Sequence, residues 1–463
     1  MIPLFLLLAV GGFMQAARSF ATDTSIAGTE LAFGYLLLAA YLGGRIISRF
    51  GLPRLTGSLL VGVLSGPFVL GLATNEMTHS LKIVNDVATA ILGLTAGGEM
   101  NLKRVRPLMR TLRAITFHAI VAAMFVLSAL VFVMRPFLPV FDHMGFEESL
   151  VVSCLLGVAL AAQSPTVAIA LLSETRADGP LSRLVLATVV VADLVVVTVY
   201  SLVGALTSSV LSGGADLVET VLSIGWELFG SMAFGVVVGM VIGLFLRHVQ
   251  KGAALFALMV CLVVAEIGGR MHLDALVVMV AAGVWLENFS RADAHKLLRG
   301  FEAAELPVYL VFFALAGRML NLDQLVEMII PVTVIALVRG GVFYFGCRNA
   351  TRRTGADPAI VKYAWTGLVS QSGLSIALIA VIQKNFPTFG PSAAVLLLSV
   401  VAMNLLVPPV LLRRALVRTG EAGKRTQQAF AASGVTPVSE LGSTAVAPVP
   451  ASGVLGSSSP PPR

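Results

Sequence analysis

Residues 149–203 read SLVVSCLLGVALAAQSPTVAIALLSETRADGPLSRLVLATVVVADLVVVTVYSLV, two apolar segments joined by the loop Ser173–Arg183. In the first, Ala161-Ala162-Gln163-Ser164-Pro165-Thr166 interrupts an otherwise apolar run. Pro165 removes a helical hydrogen bond and frees neighbouring carbonyls, so a broken helix is expected there. The second segment, Leu184–Val203, carries one acidic side chain, Asp193, between Val189-Val190-Val191-Ala192 and Leu194-Val195-Val196-Val197. In a bilayer such a carboxylate costs about 2.5–3.5 kcal/mol on insertion scales, and a cost of that size predicts a use.

The rest of the chain places that stretch in a membrane. Of 463 residues, 57% are hydrophobic and 12% charged, against roughly 25% charged in soluble domains. The mean hydropathy is +0.91, and apolar runs of spanning length recur, which predicts an all-α polytopic membrane protein. A β-barrel is excluded because Val189–Val197 is uniformly apolar where a lumen-facing strand alternates. The net charge of +7 comes from cations in short loops, which read as topology signals rather than as a nucleic-acid surface. Cys154, Cys261 and Cys347 have no close CxxC spacing, so no disulfide, metal site or resident cofactor is expected. Without a nucleophile, acid/base cluster or phosphate loop, the chain does not read as an enzyme.

In order, residues 1–30 form a hydrophobic N-terminal segment, read as an extra first helix rather than a signal peptide. Spans are expected near 31–49, 55–73, 82–99, 113–134, 148–172, 183–205, 225–246, 253–270, 274–289, 305–318, 326–347, 362–383 and 391–412. That makes thirteen helices plus the leading one. The loops carrying Arg49 and Arg54, Lys103 to Arg113, Arg176 and Arg183, Arg247 and Lys251, Arg291 to Arg299, Arg348 to Arg353, and Arg413 and Arg414 fall on one side of this count. Loops with Asp142, Glu147 and Glu148, or Asp216 and Glu219, fall on the other. The basic side is expected to be cytoplasmic in a cell-membrane protein, and residues 415–463, rich in Ala, Ser, Gly and Pro, a disordered cytoplasmic tail.

Three short motifs recur in the same order. Gly43-Gly44-Arg45 returns as Gly268-Gly269-Arg270, Ala96-Gly97-Gly98-Glu99-Met100-Asn101-Leu102 as Ala316-Gly317-Arg318-Met319-Leu320-Asn321-Leu322, and Gln163-Ser164-Pro165 as Gln371-Ser372-Gly373. They define two six-helix units, 31–206 and 253–414, inside one transmembrane domain, 31–414. One linker helix, 225–246, separates them, so the repeat is inverted. Inverted repeats with interrupted helices at matching positions point to a secondary transporter whose site lies near the bilayer midplane. Irregular backbone at that depth must be buried in protein or line a cavity, so the two breaks are expected to cross. Gln163 and Gln371 are expected to approach each other there.

Tyr41-Leu42-Gly43-Gly44-Arg45 through Gly51-Leu52-Pro53-Arg54, with Gly62 and Gly66-Pro67, resembles the opening helices of monovalent cation/proton antiporters, especially bacterial sodium/proton exchangers and Kef-type potassium efflux proteins. Gly97 to Leu102 resembles their third helix, Ser164-Pro165-Thr166 their broken helix and Asp193 the essential aspartate after it. The resemblance implies a homodimer whose scaffold holds still while a core bundle carries the ion by elevator-like movement. It also implies that Arg339 belongs to a charge network stabilising the core. Two departures stand out: Ala192 occupies the position where relatives carry Asp or Asn, and nothing after Arg418 resembles the nucleotide-binding domain of Kef systems.

Asp193 is accordingly the expected ion- and proton-carrying residue. The oxygens of Gln163, Ser164, Thr166, Gln371, Ser372 and Ser375 either replace water around Na⁺ or K⁺ or satisfy backbone groups freed by the breaks. Pro165 and Gly373 are assigned to backbone shape. Glu266 and Arg339, both within apolar runs, are expected to form a structural ion pair, since an unpaired charge there is expensive. His118 reads as a core histidine or a pH sensor. The reading is a secondary antiporter trading protons for a monovalent cation, Na⁺ first and K⁺ as the alternative. With Ala192 unable to titrate, exchange is expected to be electroneutral. A channel-like efflux pathway without proton coupling and a transport-dead membrane sensor are the competing classes.

Overall fold

Proline and glycine set many of the helix starts. The computed structural model describes residues 2–20, 25–74, 77–78, 81–142, 144–212, 225–248, 252–271, 273–290, 307–320, 322–371 and 373–424. Outside them lie Ser372, Arg291 to Arg299, Asp216, Glu219 and the expected tail from residue 425. The first elements are α1 (Ile2–Phe20), α2 (Ser25–Ser48), α3 (Arg54–Ser65) and α4 (Lys82–Glu99). Pro53 precedes α3 and Gly66-Pro67 ends it, well short of residue 73 where the hydropathy had placed its end. Then come α5 (Arg106–Phe137), α6 (Phe146–Ala161), α7 (Pro165–Glu174) and α8 (Pro180–Ser212).

The second half continues with α9 (Ser231–His248), α10 (Ala253–Met271), α11 (Ala275–Asn288) and α12 (Pro307–Arg318). It ends with α13 (Ile329–Arg353), α14 (Pro358–Tyr363), α15 (Gly373–Asn385), α16 (Gly390–Leu406) and α17 (Pro408–Arg418). Among the described residues, seven helices are long and apolar enough to cross a membrane, and seven more carry apolar stretches of 10–17 residues.

The α6–α7 unit is the most enclosed of the long apolar segments: the hydrophobic window of Phe146–Glu174 is 100% buried, against 33% for α5, α8 and α13. The break at Ala162–Ser164 is therefore wrapped in protein, as irregular backbone at membrane depth requires. Around it lies one large apolar cluster, and a second is built from α4, α9, α10 and α11.

Glycine sets the tightest helix crossings. A Cβ at Gly97 of α4 would stand 2.1 Å from the Val280 carbonyl oxygen of α11, and one at Gly317 of α12 would stand 2.2 Å from the Leu59 carbonyl oxygen of α3. The reciprocal approaches are Gly283 to the Leu94 oxygen at 2.5 Å and Gly62 to the Ala314 oxygen at 2.1 Å. Each residue of the first crossing lies about 220 positions from its counterpart in the second, the spacing of the sequence repeat. Any side chain at these four positions would force the helices apart.

The chain stays ordered beyond residue 415, where the tail was expected to start. Helix α17 runs through Arg418, and Glu421, only 4% exposed, reaches the start of α8. Its carboxylate accepts hydrogen bonds from the Leu181 and Ser182 N–H groups, both at 2.8 Å, and from Ser182 Oγ at 2.6 Å. Its own carbonyl accepts from Asp178 N–H at 3.1 Å, and Gly423 N–H donates to Thr175 O at 2.9 Å. A helix start has unpaired N–H groups and a partial positive charge, and here a carboxylate from the far end of the chain satisfies both. The helix that carries Asp193 is thus capped by Glu421. Glu421→Ala strands these buried donors and should lower stability by about 1–3 kcal/mol, with Glu421→Gln losing less. Thermal unfolding of purified protein measures it; an unchanged midpoint for the alanine variant would rule out the cap.

Candidate functional site

The first break spans Ala162, Gln163 and Ser164 between α6 and α7. Ser164 is the N-cap of α7: its Oγ accepts from Val167 N–H at 3.2 Å and shares a hydrogen bond of 2.9 Å with Thr166 Oγ1. Pro165 sits at the first helical position, where no N–H is needed. The second break follows a short 3₁₀ turn, Ala364–Gly367, and runs through Leu368–Gln371 to Gly373, which opens α15. Both polar segments lie inside the protein: Gln163, Ser164, Thr166, Ser370 and Gln371 are each at most 3% exposed.

Arg339 of α13 ties the two breaks together. It is fully buried, and its guanidinium donates to the carbonyls of Leu160 (2.8 Å) and Ala162 (2.6 Å) at the end of α6. It also donates to Val369 and to Leu368 (3.5 Å) at the second break. Its Cζ stands 4.8 Å from the Phe343 ring centroid. These carbonyls are the acceptors that interrupted helices leave without intrahelical partners. Gln371 adds a second tie, with Nε2 donating to Leu160 O at 3.0 Å and Oε1 accepting from Asn404 Nδ2 of α16 at 2.8 Å. The break containing Gln371 therefore meets the helix end that leads into Gln163.

The expected pair of Glu266 with Arg339 does not form. Glu266 binds Arg270 one helical turn away, at 2.6 Å, and both side chains are exposed. The i,i+4 spacing puts that partner within reach at no cost in chain ordering, while Arg339 spends its donors on carbonyl oxygens.

Asp193 lies on α8, which packs against α6. It is 8% exposed, and its Oδ1 has no hydrogen-bond partner among the described residues. The same holds for Gln163 Oε1, Ser370 Oγ and Ser375 Oγ, whereas the amide of Gln371 is engaged at both ends. Gln163 Nε2 donates to Ala161 O at 2.6 Å, which fixes the amide and leaves its oxygen open. Ala192, beside Asp193, is fully buried. Asp274, the N-cap of α11, accepts from Val277 N–H at 2.9 Å and acts electrostatically on Asp193.

Sequence reading missed Asn404, Ser370 and Asp274. Asp274 was recoverable as a cap before the apolar run Ala275-Leu276-Val277-Val278, and Asn404 as a lone amide in Val400-Val401-Ala402-Met403-Asn404-Leu405-Leu406. Ser370 carries no signal of its own.

The architecture has counterparts among solved structures. The chain is similar to the sodium proton antiporter MjNhaP1 from Methanocaldococcus jannaschii at pH 8, with 15% identity and a TM-score of 0.62 over 84% of this chain and 99% of that one. A structure of the same archaeal protein from an electron-microscopy map gives 14% identity and a TM-score of 0.65 over 84% and 97%. At such identities the likeness establishes the fold. The family model described as the transmembrane part of sodium/hydrogen exchangers matches residues 35–418. Since that match takes in both breaks, Arg339 and Asp193, the chain belongs to the sodium/hydrogen exchanger family, a family of monovalent cation/proton antiporters.

Proposed function

We propose that this protein exchanges protons for a monovalent cation across the cell membrane by alternating access, Na⁺ before K⁺, with Asp193 as the carrier. The observation that carries the reading is the buried Asp193 carboxylate with an open oxygen, on the helix packed against the first break. A site that must take a proton and a cation in turn needs a carboxylate that no permanent partner has claimed. Gln163 Oε1, Ser370 Oγ and Ser375 Oγ offer neutral oxygens that can replace water around the ion, with the Ser164 and Thr166 hydroxyls supporting them. Ser372 belongs to the same proposed set. Gln371, engaged by Leu160 and Asn404, acts as a tie between the breaks instead.

The proposed architecture is two inverted six-helix units, thirteen helices with an additional first one, and a C-terminus on the cytoplasmic side. The matching glycine crossings of α4 with α11 and of α3 with α12 support the repeat. Homodimerisation and elevator-like movement are part of the same proposal. The moving body would be the helices joined by Arg339, Gln371 and Glu421; the scaffold would be those locked by the glycine crossings. Polar links between these groups include Glu174 at the end of α7, which accepts from the N–H groups of Arg54 (2.6 Å) and Leu55 (3.4 Å) at the start of α3, and Arg413, which donates to Gly51 O.

Cation-dependent dequenching of a pH dye in proteoliposomes, run with Na⁺, K⁺ and Li⁺ in turn, tests the reading. Asp193→Asn preserves volume and removes the titrating group, so exchange should fall to background while the protein still elutes as a folded species; retained exchange would sink the site. Flux that ignores the pH gradient in the unaltered protein would favour the channel reading.

Arg339 should tolerate no replacement. Each charged hydrogen bond it makes is worth about 1.5–3 kcal/mol, and lysine, a point charge without the planar fork, cannot cover carbonyls from both breaks. Arg339→Gln and Arg339→Lys should both lose most of their monodisperse yield on size exclusion. A lysine variant as stable as the parent would show that charge alone suffices.

With Ala192 inert and Asp274 engaged as a cap, one carboxylate trades one proton for one monovalent cation, and the exchange is electroneutral. A membrane potential acts on net charge with ~2.3 kcal/mol per charge per 100 mV, so even one uncompensated charge per cycle is readily detected. Na⁺/H⁺ exchange measured in proteoliposomes clamped by K⁺ and valinomycin should be the same at every voltage. Rates that shift with voltage would bring in a second titrating group, for which Asp274, near enough to act on Asp193, is the candidate.

A further inference from the structure

A cluster of positive charge surrounds a cavity of about 830 Å³ between the ends of α13 and α17 and the short α14. Five cations line it, Arg348, Arg352, Lys362, Arg414 and Arg418, and no Asp or Glu is among the lining residues. The nearest acid in sequence, Asp357, is occupied as the N-cap of α14, accepting from Ala359 N–H at 2.7 Å.

The aromatic walls are Tyr344, Tyr363 and Trp365. Tyr344 and Trp365 meet edge to face with centroids 5.6 Å apart, Arg348 Nη1 donates to Tyr344 Oη at 2.6 Å, and the Trp365 indole N–H donates to Lys362 O at 3.0 Å. These contacts fix the walls without neutralising the cations.

Helix ends account for part of the charge. Arg352, Lys362 and Arg418 sit in the last turns of their helices, where a cation complements the negative end of the dipole. That effect fades within one turn and does not reach Arg348 or Arg414. Nor does it explain why all five surround one cavity, where they repel one another unless an anion joins them. The cations act on the cavity rim: desolvation acts upward on the Tyr363 phenol, yet hydrogen bonds and charge from Arg418 and Lys362 outweigh it and hold the group below its ordinary value. A place that favours a phenolate oxygen favours a phosphate oxygen.

We infer that this cavity is a binding site for a phosphate-bearing anion, either the headgroup of an anionic phospholipid or a soluble phosphate compound. The arginine forks suit phosphate oxygens. The position at the ends of two apolar spans, Ile329–Arg353 and Gly390–Arg418, suits a headgroup, with Trp and Tyr at the level where such rings gather. The cavity lining includes neither Asp193 nor Gln163–Thr166 nor Leu368–Gln371, although Trp365 and Thr366 lie in the turn that precedes the second break.

The purified full chain tests it in two arms. Native mass spectrometry after equilibration with equal amounts of dioleoylphosphatidylglycerol and dioleoylphosphatidylcholine reports the lipid source, and titration calorimetry with inorganic pyrophosphate reports the soluble one. Preferential retention of phosphatidylglycerol, or saturable pyrophosphate binding, is expected. The bound form should be about tenfold weaker in Arg348→Gln/Arg414→Gln. Because Arg348 also holds Tyr344, the pair Arg352→Gln/Arg418→Gln, both exposed, gives a second reading in protein that elutes at the parent volume. Equal retention of the two lipids with no pyrophosphate binding overturns the proposal, as does binding unchanged in both variant pairs.

Discussion

The structure depends on satisfying carbonyl oxygens where two helices are interrupted inside an apolar protein. Water is not there to solvate them, and each would be left with the full penalty of an unpaired buried acceptor. Arg339 meets four of them at once, from Leu160, Ala162, Leu368 and Val369. The compensation runs both ways. A buried guanidinium without a carboxylate partner needs negative potential, and the C-terminal ends of interrupted helices provide it. Neither the breaks nor the charge would be tolerable alone. The cation replaces an ion pair with a set of backbone dipoles, so no carboxylate near the breaks is neutralised by it, and Asp193 keeps an open oxygen.

That arrangement needs a rigid frame on either side, and two chemistries supply it. Among α3, α4, α11 and α12, contact is backbone on backbone through glycines, with no side-chain freedom in the crossing. Around α8, the frame is polar: Glu421 holds the helix start, and Arg183 pairs with Asp178 at 2.8 Å in the preceding turn. Glycine crossings fix separation and angle, while the cap fixes where the Asp193 helix begins. The neutral oxygens of Gln163 and Ser164 reach their places because Pro165 and the Ser164 cap start α7 at a defined residue.

What the sequence made legible was chemistry that violates its surroundings. A proline inside an apolar run, a carboxylate amid valines and an arginine beside Leu337-Val338 each break a local rule, and each proved to lie at the core. The repeat was legible for the same reason, since Gly97 and Gly317 are conspicuous only where helices must touch. Partnership was harder to read. Glu266 was assigned to Arg339 because both interrupt apolar runs, although Arg270 stood one turn away. Local spacing should have outweighed a pairing across the fold. Glu421 was missed because it sits in Thr419-Gly420-Glu421-Ala422-Gly423, a composition that reads as tail. A single acidic residue becomes a cap only through a helix start about 240 positions earlier, and no local pattern encodes that meeting.

Where such a structure can move follows from where water can reach. Separating α13 from the breaks would strand carbonyls at depth, each without a replacement partner, which supports the proposal that those helices form one body. The glycine crossings cannot slide either, because carbonyls and α-carbons interlock with no side chain to rearrange. The links between the two groups are of another kind. Glu174 binds the start of α3 and Arg413 binds Gly51, both at a helix end rather than in its middle. When these part, water can take the place of each lost partner, and the net cost of such an exchange is about 1.5–3 kcal/mol per hydrogen bond to a charged group. Glu174 and Arg413 therefore hold the two groups in register at one end without locking them. The difference between a bond that water can replace and one that it cannot sets the boundary between what stays together and what is free to part.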